Sequence, residues 1–169
     1  MKRYNSAMIV TTHQRSLLAV MPFRQTPGYC GPASVKMVLD FYGITMSELA
    51  IADAAGTSSA GTSAKGLIKA VRQFGYRAHI VDRASFAEME HFLDQSIPVI
   101  VDWFSQDEGH YSVAVGLDDT NIYLQDPELA ALRTLDRETF YRVWFDFSGP
   151  FISSPDEIIL RRMIVIEKE

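Results

Sequence analysis

The chain's single cysteine, Cys30, stands in the run Gln-Thr-Pro-Gly-Tyr-Cys-Gly-Pro-Ala (residues 25–33), directly ahead of a long apolar segment. A thiol becomes a strong nucleophile once ionised. The start of a helix favours that ionisation, because its unpaired backbone N–H groups and its dipole attract negative charge. The same N–H groups can hold the oxyanion formed when sulfur attacks an acyl carbon, and Gly31 leaves room for a carbonyl to approach. A lone cysteine is otherwise most often a small, inert, buried hydrophobe, so its place at the mouth of a helix is what makes it a candidate. A base must then be in reach. Of the four histidines, His110 opens a strand after the acidic, flexible-looking Ser-Gln-Asp-Glu-Gly (105–109), where a ring nitrogen can meet a thiol on a neighbouring helix end. His13 has no partner pattern, His79 sits mid-strand, and His91 lies within a helical turn of Glu88 and Gln95. These three read as structural or solvent-facing. Asp126, just before Pro127, is either an ordinary strand-end turn residue or the third member of a nucleophile, base and orienter set.

The elements that must position these residues are legible in outline. A helix is predicted from Gly31 to about Tyr42, with Pro32 in the first turn and Gly43 just past the end. Ala33, Val35, Met37, Val38, Leu39 and Phe41 cover most of its circumference, leaving only Lys36 and Asp40 as a polar stripe, so it belongs at the centre of the domain. Thr45 with Glu48 and Ser85 with Glu88 have capping-box spacing, opening helices near 47–55 and 86–95. Thr62 or Ser63 caps another that ends near Phe74. Residues 56–63, small and polar, read as a surface loop. Strands follow at 76–81, 97–103, 110–117 and 121–125, then a short helix after Asp136 and a closing strand at 158–166. Helices first and mostly antiparallel strands afterwards describe an α+β domain.

With 169 residues the chain suits one domain, assigned to 1–169. Its 47% apolar and 22% charged residues are ordinary for a globular protein. A net charge of −5 argues against a duplex nucleic-acid partner. No stretch reaches the roughly 18 apolar residues that a membrane span needs. One cysteine cannot form an internal disulfide, so a reducing, cytoplasmic setting is expected. No phosphate loop and no metal-ligand spacing is present, and no cofactor or metal is expected. Asp107-Glu108 and Asp118-Asp119 read as solvated turns.

Two segments resemble a known family. Gln25 to Gly43 (QTPGYCGPASVKMVLDFYG) is similar to the active-site segment of the bacteriocin-processing, double-glycine leader peptidases and their stand-alone relatives, which are papain-like cysteine peptidases. Gly109 to Pro127 (GHYSVAVGLDDTNIYLQDP) looks like that family's His strand and its Asp-Pro. The resemblance implies a papain-like fold in which a central N-terminal helix bears the cysteine. It also implies a peptide or protein substrate and cleavage of a peptide or other amide bond through a thioester, by a cysteine peptidase or a related thiol-dependent amidohydrolase. Carried over residue by residue, it gives Cys30 as nucleophile, His110 as base and then acid, Asp126 as orienter and Gln25 as oxyanion-hole donor. Two positions depart from the pattern: Gln25 lies one residue closer to the cysteine, and Tyr29 stands where those enzymes often have Asp. These peptidases are commonly fused to an export transporter, so a maturation role here implies a separate transporter partner. The other reading is a non-catalytic binding domain that retains the papain-like fold.

Parity imposes one further requirement. With a two-residue turn at Asp119–Thr120, a regular hairpin pairs residue 113 with 126 and puts Asp126 on the face opposite His110. One extra residue in the first strand, near Gly116, sets Asp126 across from Ser112 and diagonal to His110, within about 7–8 Å. A bulge is therefore expected between His110 and Asp126.

Overall fold

The computed structural model describes residues 16–149 and 151–168; His13 lies outside them. In chain order the elements are α1 (Cys30–Phe41), α2 (Glu48–Ala55), α3 (Ala64–Gln73), β1 (Arg77–Val81), α4 (Phe86–Asp94), β2 (Val99–Ser105), β3 (Glu108–Leu117), β4 (Asn121–Asp126), β5 (Ala131–Asp136), α5 (Arg137–Val143), β6 (Phe145–Phe147), β7 (Ile158–Leu160) and β8 (Arg162–Glu167). Six strands form one sheet in the order β1-β8-β2-β3-β4-β5, every neighbouring pair antiparallel, while β6 and β7 make a small second sheet. The architecture is α+β, as expected.

Alternation along the strands divides the interior into two cores, one on each face of the sheet. Ile100, Val113 and Ile164 pack with Val35, Leu39, Leu67 and Val71 of α1 and α3. Val99, Val101, Leu124 and Met163 pack with Met89, Phe140 and Trp144 of α4, α5 and the residue after it. Each such aliphatic side chain, fully withdrawn from water, contributes about 1.5–3 kcal/mol. α1 is fixed most firmly: eight of its twelve residues are buried, and Lys36 on its polar stripe donates to Asp40 and to the Met46 carbonyl.

Four local expectations need correction. Glu48 does not close a capping box with Thr45; Ser47 caps α2 by accepting from the Ala50 N–H, and the Glu48 carboxylate instead accepts from the Thr26 N–H (2.9 Å) and hydroxyl (2.7 Å). The closing strand is two strands, because Arg161 turns to φ 46° and breaks the run; β7 joins the small sheet while β8 enters the middle of the large one. Residues 105–109 form no flexible loop but a tight β2–β3 turn in which Ser105 pairs with Glu108 and Gln106 takes φ 56°. Finally, β5 was not anticipated. It is the edge strand of the large sheet, exposed along much of its length, so it lacks the alternating apolar pattern that marks a half-buried strand.

Candidate active site

Cys30 is the first helical residue of α1. No side chain caps this helix, whereas Ser47, Ser63, Ser85 and Asp136 cap α2, α3, α4 and α5. A capping side chain would occupy a first-turn N–H. At Cys30 those donors are left for another acceptor. Gly31 does not open onto this space. It faces inward, where a Cβ would lie 3.1 Å from Leu67 Cδ1 and 3.3 Å from Tyr111 Cδ2; packing, not substrate approach, requires the glycine. Cys30 itself is half-buried. It lines a cleft of about 400 Å³ with the loop 60–62 on one side and Phe104, Glu108, Tyr111 and Asp146 on the other. A larger depression, of about 630 Å³ around Lys65, Arg72 and His79, includes neither Cys30 nor His110.

The expected bulge is present. Val113 pairs with Gln125 and Ala114 with Leu124, but Gly116 pairs with Tyr123, so Val115 is the extra residue. The shift carries Asp126 to the face of His110, and His110 Nε2 lies 3.0 Å from Asp126 Oδ1. A carboxylate only accepts, so Nε2 carries the proton and Nδ1 is left for Cys30. The bulge has a second effect. The Val115 carbonyl accepts the Leu18 N–H (2.8 Å), and the segment ahead of α1 is thereby drawn along β3 and β4. Gln125 Nε2 then donates to the Val20 carbonyl, and Arg24 to the carbonyls of Glu128 and Leu129. The Gln25 N–H donates to the Pro127 carbonyl (2.9 Å), while Glu48 holds Thr26. Gln25 thus comes beside the turn that follows Asp126. It is not among the residues lining the cleft, and its Oε1 is buried with no hydrogen-bond partner among the described residues.

Electrostatics favour a charged imidazole. Burial pushes the His110 pKa down, but the hydrogen bond to Asp126, together with the hydrogen bonding and charge of the Cys30 sulfur, outweighs it and raises the value to about 9. The Asp126 carboxyl is held below its ordinary value. Burial opposes this, and His110, Arg133 and the Glu128 N–H (2.9 Å) overcome it. His110, Asp126 and Glu128 offer ligand atoms within 4.8 Å of one another; Asp126 Oδ1 is already engaged by His110 and the Glu128 N–H.

Sequence reasoning missed the residue behind this pair. Arg133 of β5 sits 3.2 Å from Asp126 Oδ2. Oδ2 is buried and receives no hydrogen bond of good geometry; Arg133 Nη1 donates to Ser105 Oγ instead (3.1 Å), so Arg133 acts on Asp126 by charge. The guanidinium also lies over the Trp103 ring, 5.4 Å from its centre, and Trp103 meets His110 edge-on while its Nε1–H donates to Ser112. Only the pairing of Asp126 with Ala131 across β4 and β5 would have pointed to Arg133, and β5 carried no strand signal. Of the other histidines, His91 accepts or donates locally with Gln95 (2.8 Å) and His79 is half-exposed beside Glu167. Both are apart from the cleft containing Cys30.

With this geometry in hand, the comparisons with known proteins agree with one another. Residues 23–148 match the model of the peptidase C39 family. An uncharacterized protein of Methanothermobacter marburgensis is 34% identical over 122 residues, 72% of this chain and 80% of that one. The transport/processing ATP-binding protein ComA of Streptococcus pneumoniae is 31% identical over 131 residues, 75% of this chain but 18% of ComA, so the chain spans less than a fifth of that relative. Among solved structures, the peptidase domain of Streptococcus ComA superposes with a TM-score of 0.72 at 20% identity, covering 89% of this chain and 99% of that domain. A double glycine motif protease from an AMS/PCAT transporter, solved with its leader peptide, gives 0.67 at 22% identity over 90% and 94% of the two chains. At these identities the structural likeness is one of fold.

Proposed function

Since this chain belongs to the peptidase C39 family and is a cysteine peptidase, we propose that Cys30 is its nucleophile, His110 its base and acid, Asp126 the orienter of His110, and Gln25 a donor to the oxyanion. The observation that carries this is the buried His110–Asp126 contact at 3.0 Å, with the Cys30 sulfur acting on the same ring from an uncapped helix start.

In the mechanism, the Cys30 thiolate attacks the carbonyl carbon of a peptide bond while His110 holds the thiol proton. The carbonyl π electrons move to oxygen, and the oxyanion is held by the Cys30 backbone N–H and the Gln25 Nε2–H. As the C–N bond breaks, His110 passes its proton to the leaving amine, and an acyl thioester remains on Cys30. Water then gives a proton to His110 and attacks the thioester carbonyl, releasing the carboxylic acid and restoring the sulfur. Asp126 keeps Nε2 protonated throughout, so that Nδ1 faces sulfur and leaving group in turn. General acid–base assistance of this kind supplies about 10²–10⁴ in rate.

The finer reading is a peptidase domain over 1–169 that cleaves a peptide after a Gly-Gly leader in the cytoplasm, with an export transporter as its partner. No helix among the described residues is long and apolar enough to cross a membrane. The test of the chemistry is Cys30→Ala. Peptide turnover and thiol labelling are both expected to vanish while the circular dichroism spectrum stays native; turnover that survives the substitution refutes the assignment.

A further inference from the structure

The cleft that contains Cys30 is acidic. Asp107, Glu108 and Asp146 line it, and among the described residues no lysine or arginine does. Asp146 is the most deeply set of the three. It lies on β6 against Gly109, the residue just before His110, and a Cβ at position 109 would come 2.3 Å from Asp146 Oδ1. Only glycine admits the carboxylate there, so the close approach is built into β3 beside the base.

Behind Asp146 stands a second carboxylate. Asp102 of β2 is 2% exposed, and its Oδ1 has no hydrogen-bond partner among the described residues. Alternation puts it on the sheet face that carries Phe104, and its cross-strand partner is Tyr111; both Phe104 and Tyr111 line the cleft. Asp102 is not itself among the lining residues; it stands beneath the floor that Phe104 and Tyr111 form, behind Asp146. A buried carboxylate is ordinarily matched by a cation or by several donors. The nearest cation, Arg162 across β8, sends its Nε and Nη2 hydrogen bonds to Asp82, at 2.7 and 2.9 Å. Two carboxylates thus share a site on which Arg162 acts by charge while its Nε and Nη2 hydrogen bonds go to Asp82. Burial raises the proton affinity of both, and Asp146 adds to the rise at Asp102; the charge of Arg162 and, at Asp102, the hydrogen bond from Tyr111 oppose it without overcoming it.

We propose that Asp146, backed by Asp102, forms an acidic subsite beside Cys30 that binds a cationic group of the peptide substrate. The cation is a lysine or arginine side chain, or the free α-ammonium of the peptide. This rests on the peptidase reading above and adds a substrate preference to it. The aromatic wall suits such a group: Phe104 stacks with Phe145 and Phe147 at 5.3 and 5.5 Å between centres, a surface on which the methylenes of a long basic side chain can lie.

The experiment compares two randomised decapeptide mixtures, one N-acetylated and one with free amines, in which lysine, arginine, citrulline and norleucine are equally represented. Cleavage sites are read by mass spectrometry. The full-length wild-type chain should enrich lysine and arginine over citrulline and norleucine by about tenfold at one position near the cut, since a desolvated charge pair discriminates strongly against a neutral isostere. Enrichment confined to the free-amine mixture assigns the α-ammonium as the cation. Asp146→Asn should bring the ratio close to one, with Asp146→Ser read in the same way if the Asn variant does not fold. Wild-type cleavage with no preference for a cation in either mixture, or a preference that persists in a folded Asp146 variant, overturns the proposal and leaves the peptidase reading intact. No cleavage of any peptide overturns both.

Discussion

The two sides of the active site are built in opposite ways. His110 is 5% exposed and is held from several directions: Asp126 bonds its Nε2, Trp103 borders its ring, and Arg133 and the Glu128 N–H hold Asp126 in turn. Cys30 is half-buried and begins a helix with no cap; its sulfur meets His110 on one side and the cleft on the other, with the core behind Gly31. A base that must keep one tautomer through two proton transfers benefits from being over-determined, because each hydrogen bond fixes the ring and its charge. A nucleophile must change partners during the reaction, so the fold secures its helix and leaves the sulfur open. The rigidity lies in the sheet and the freedom at the helix end.

Among substitutions that leave the nucleophile in place, those on the rigid side should therefore cost most. Asp126→Asn removes the charge that raises the His110 pKa and replaces one carboxylate oxygen by an NH2 donor that can turn toward Nε2 and select the wrong tautomer, so kcat/KM should fall by about a hundredfold or more. The sign of the pH effect follows from the shift. His110 is raised to about 9 partly by Asp126, so the imidazolium form persists well into alkaline solution in the wild type. Without the carboxylate it should be lost at lower pH. The alkaline limb of the rate profile, measured against pH, should move down in the variant.

Arg133→Met is expected to have a smaller effect, about three- to tenfold on kcat/KM, because Arg133 reaches His110 only indirectly, through Asp126 and Trp103. Arg133 helps hold the Asp126 carboxyl below its ordinary value. Removing it lets Asp126 take up a proton at higher pH, so the acid limb should move up while the alkaline limb moves less. A loss that is uniform across pH would mean that Arg133 merely braces β5. Smallest should be Glu48→Ala on the nucleophile's side. It frees the Thr26 N–H and hydroxyl and loosens the segment bearing Gln25, lowering kcat by a few-fold with KM little changed; steady-state kinetics separates the two parameters.

The rigid side was also the more legible in the sequence. The bulge was required by parity alone, because His110 and Asp126 share a face only if one residue is added, and Val115 is that residue. The central helix followed from an apolar circumference ended by Gly43, and the Ser85–Glu88 capping box is present as its spacing implied. What stayed hidden depends on tertiary pairing. Glu48 has capping-box spacing to Thr45 yet spends its carboxylate on Thr26, a choice that no local pattern encodes. Arg133 lies on an edge strand, Ala131–Asp136, whose sequence has no apolar alternation to announce it. Asp102 and Asp146 meet only because the small sheet folds back over β3. Short-range rules recovered the elements and their register; charges brought together from distant segments required the fold.

The most direct test is the rate at which iodoacetamide alkylates Cys30 near pH 7, in the wild type and in His110→Ala. If the imidazolium and the uncapped helix start together stabilise the sulfur anion, Cys30 in the wild type should react faster than free cysteine, and most of that advantage should be gone in the variant. A wild-type rate no greater than that of free cysteine, or one unaffected by removing the imidazole, would contradict the account.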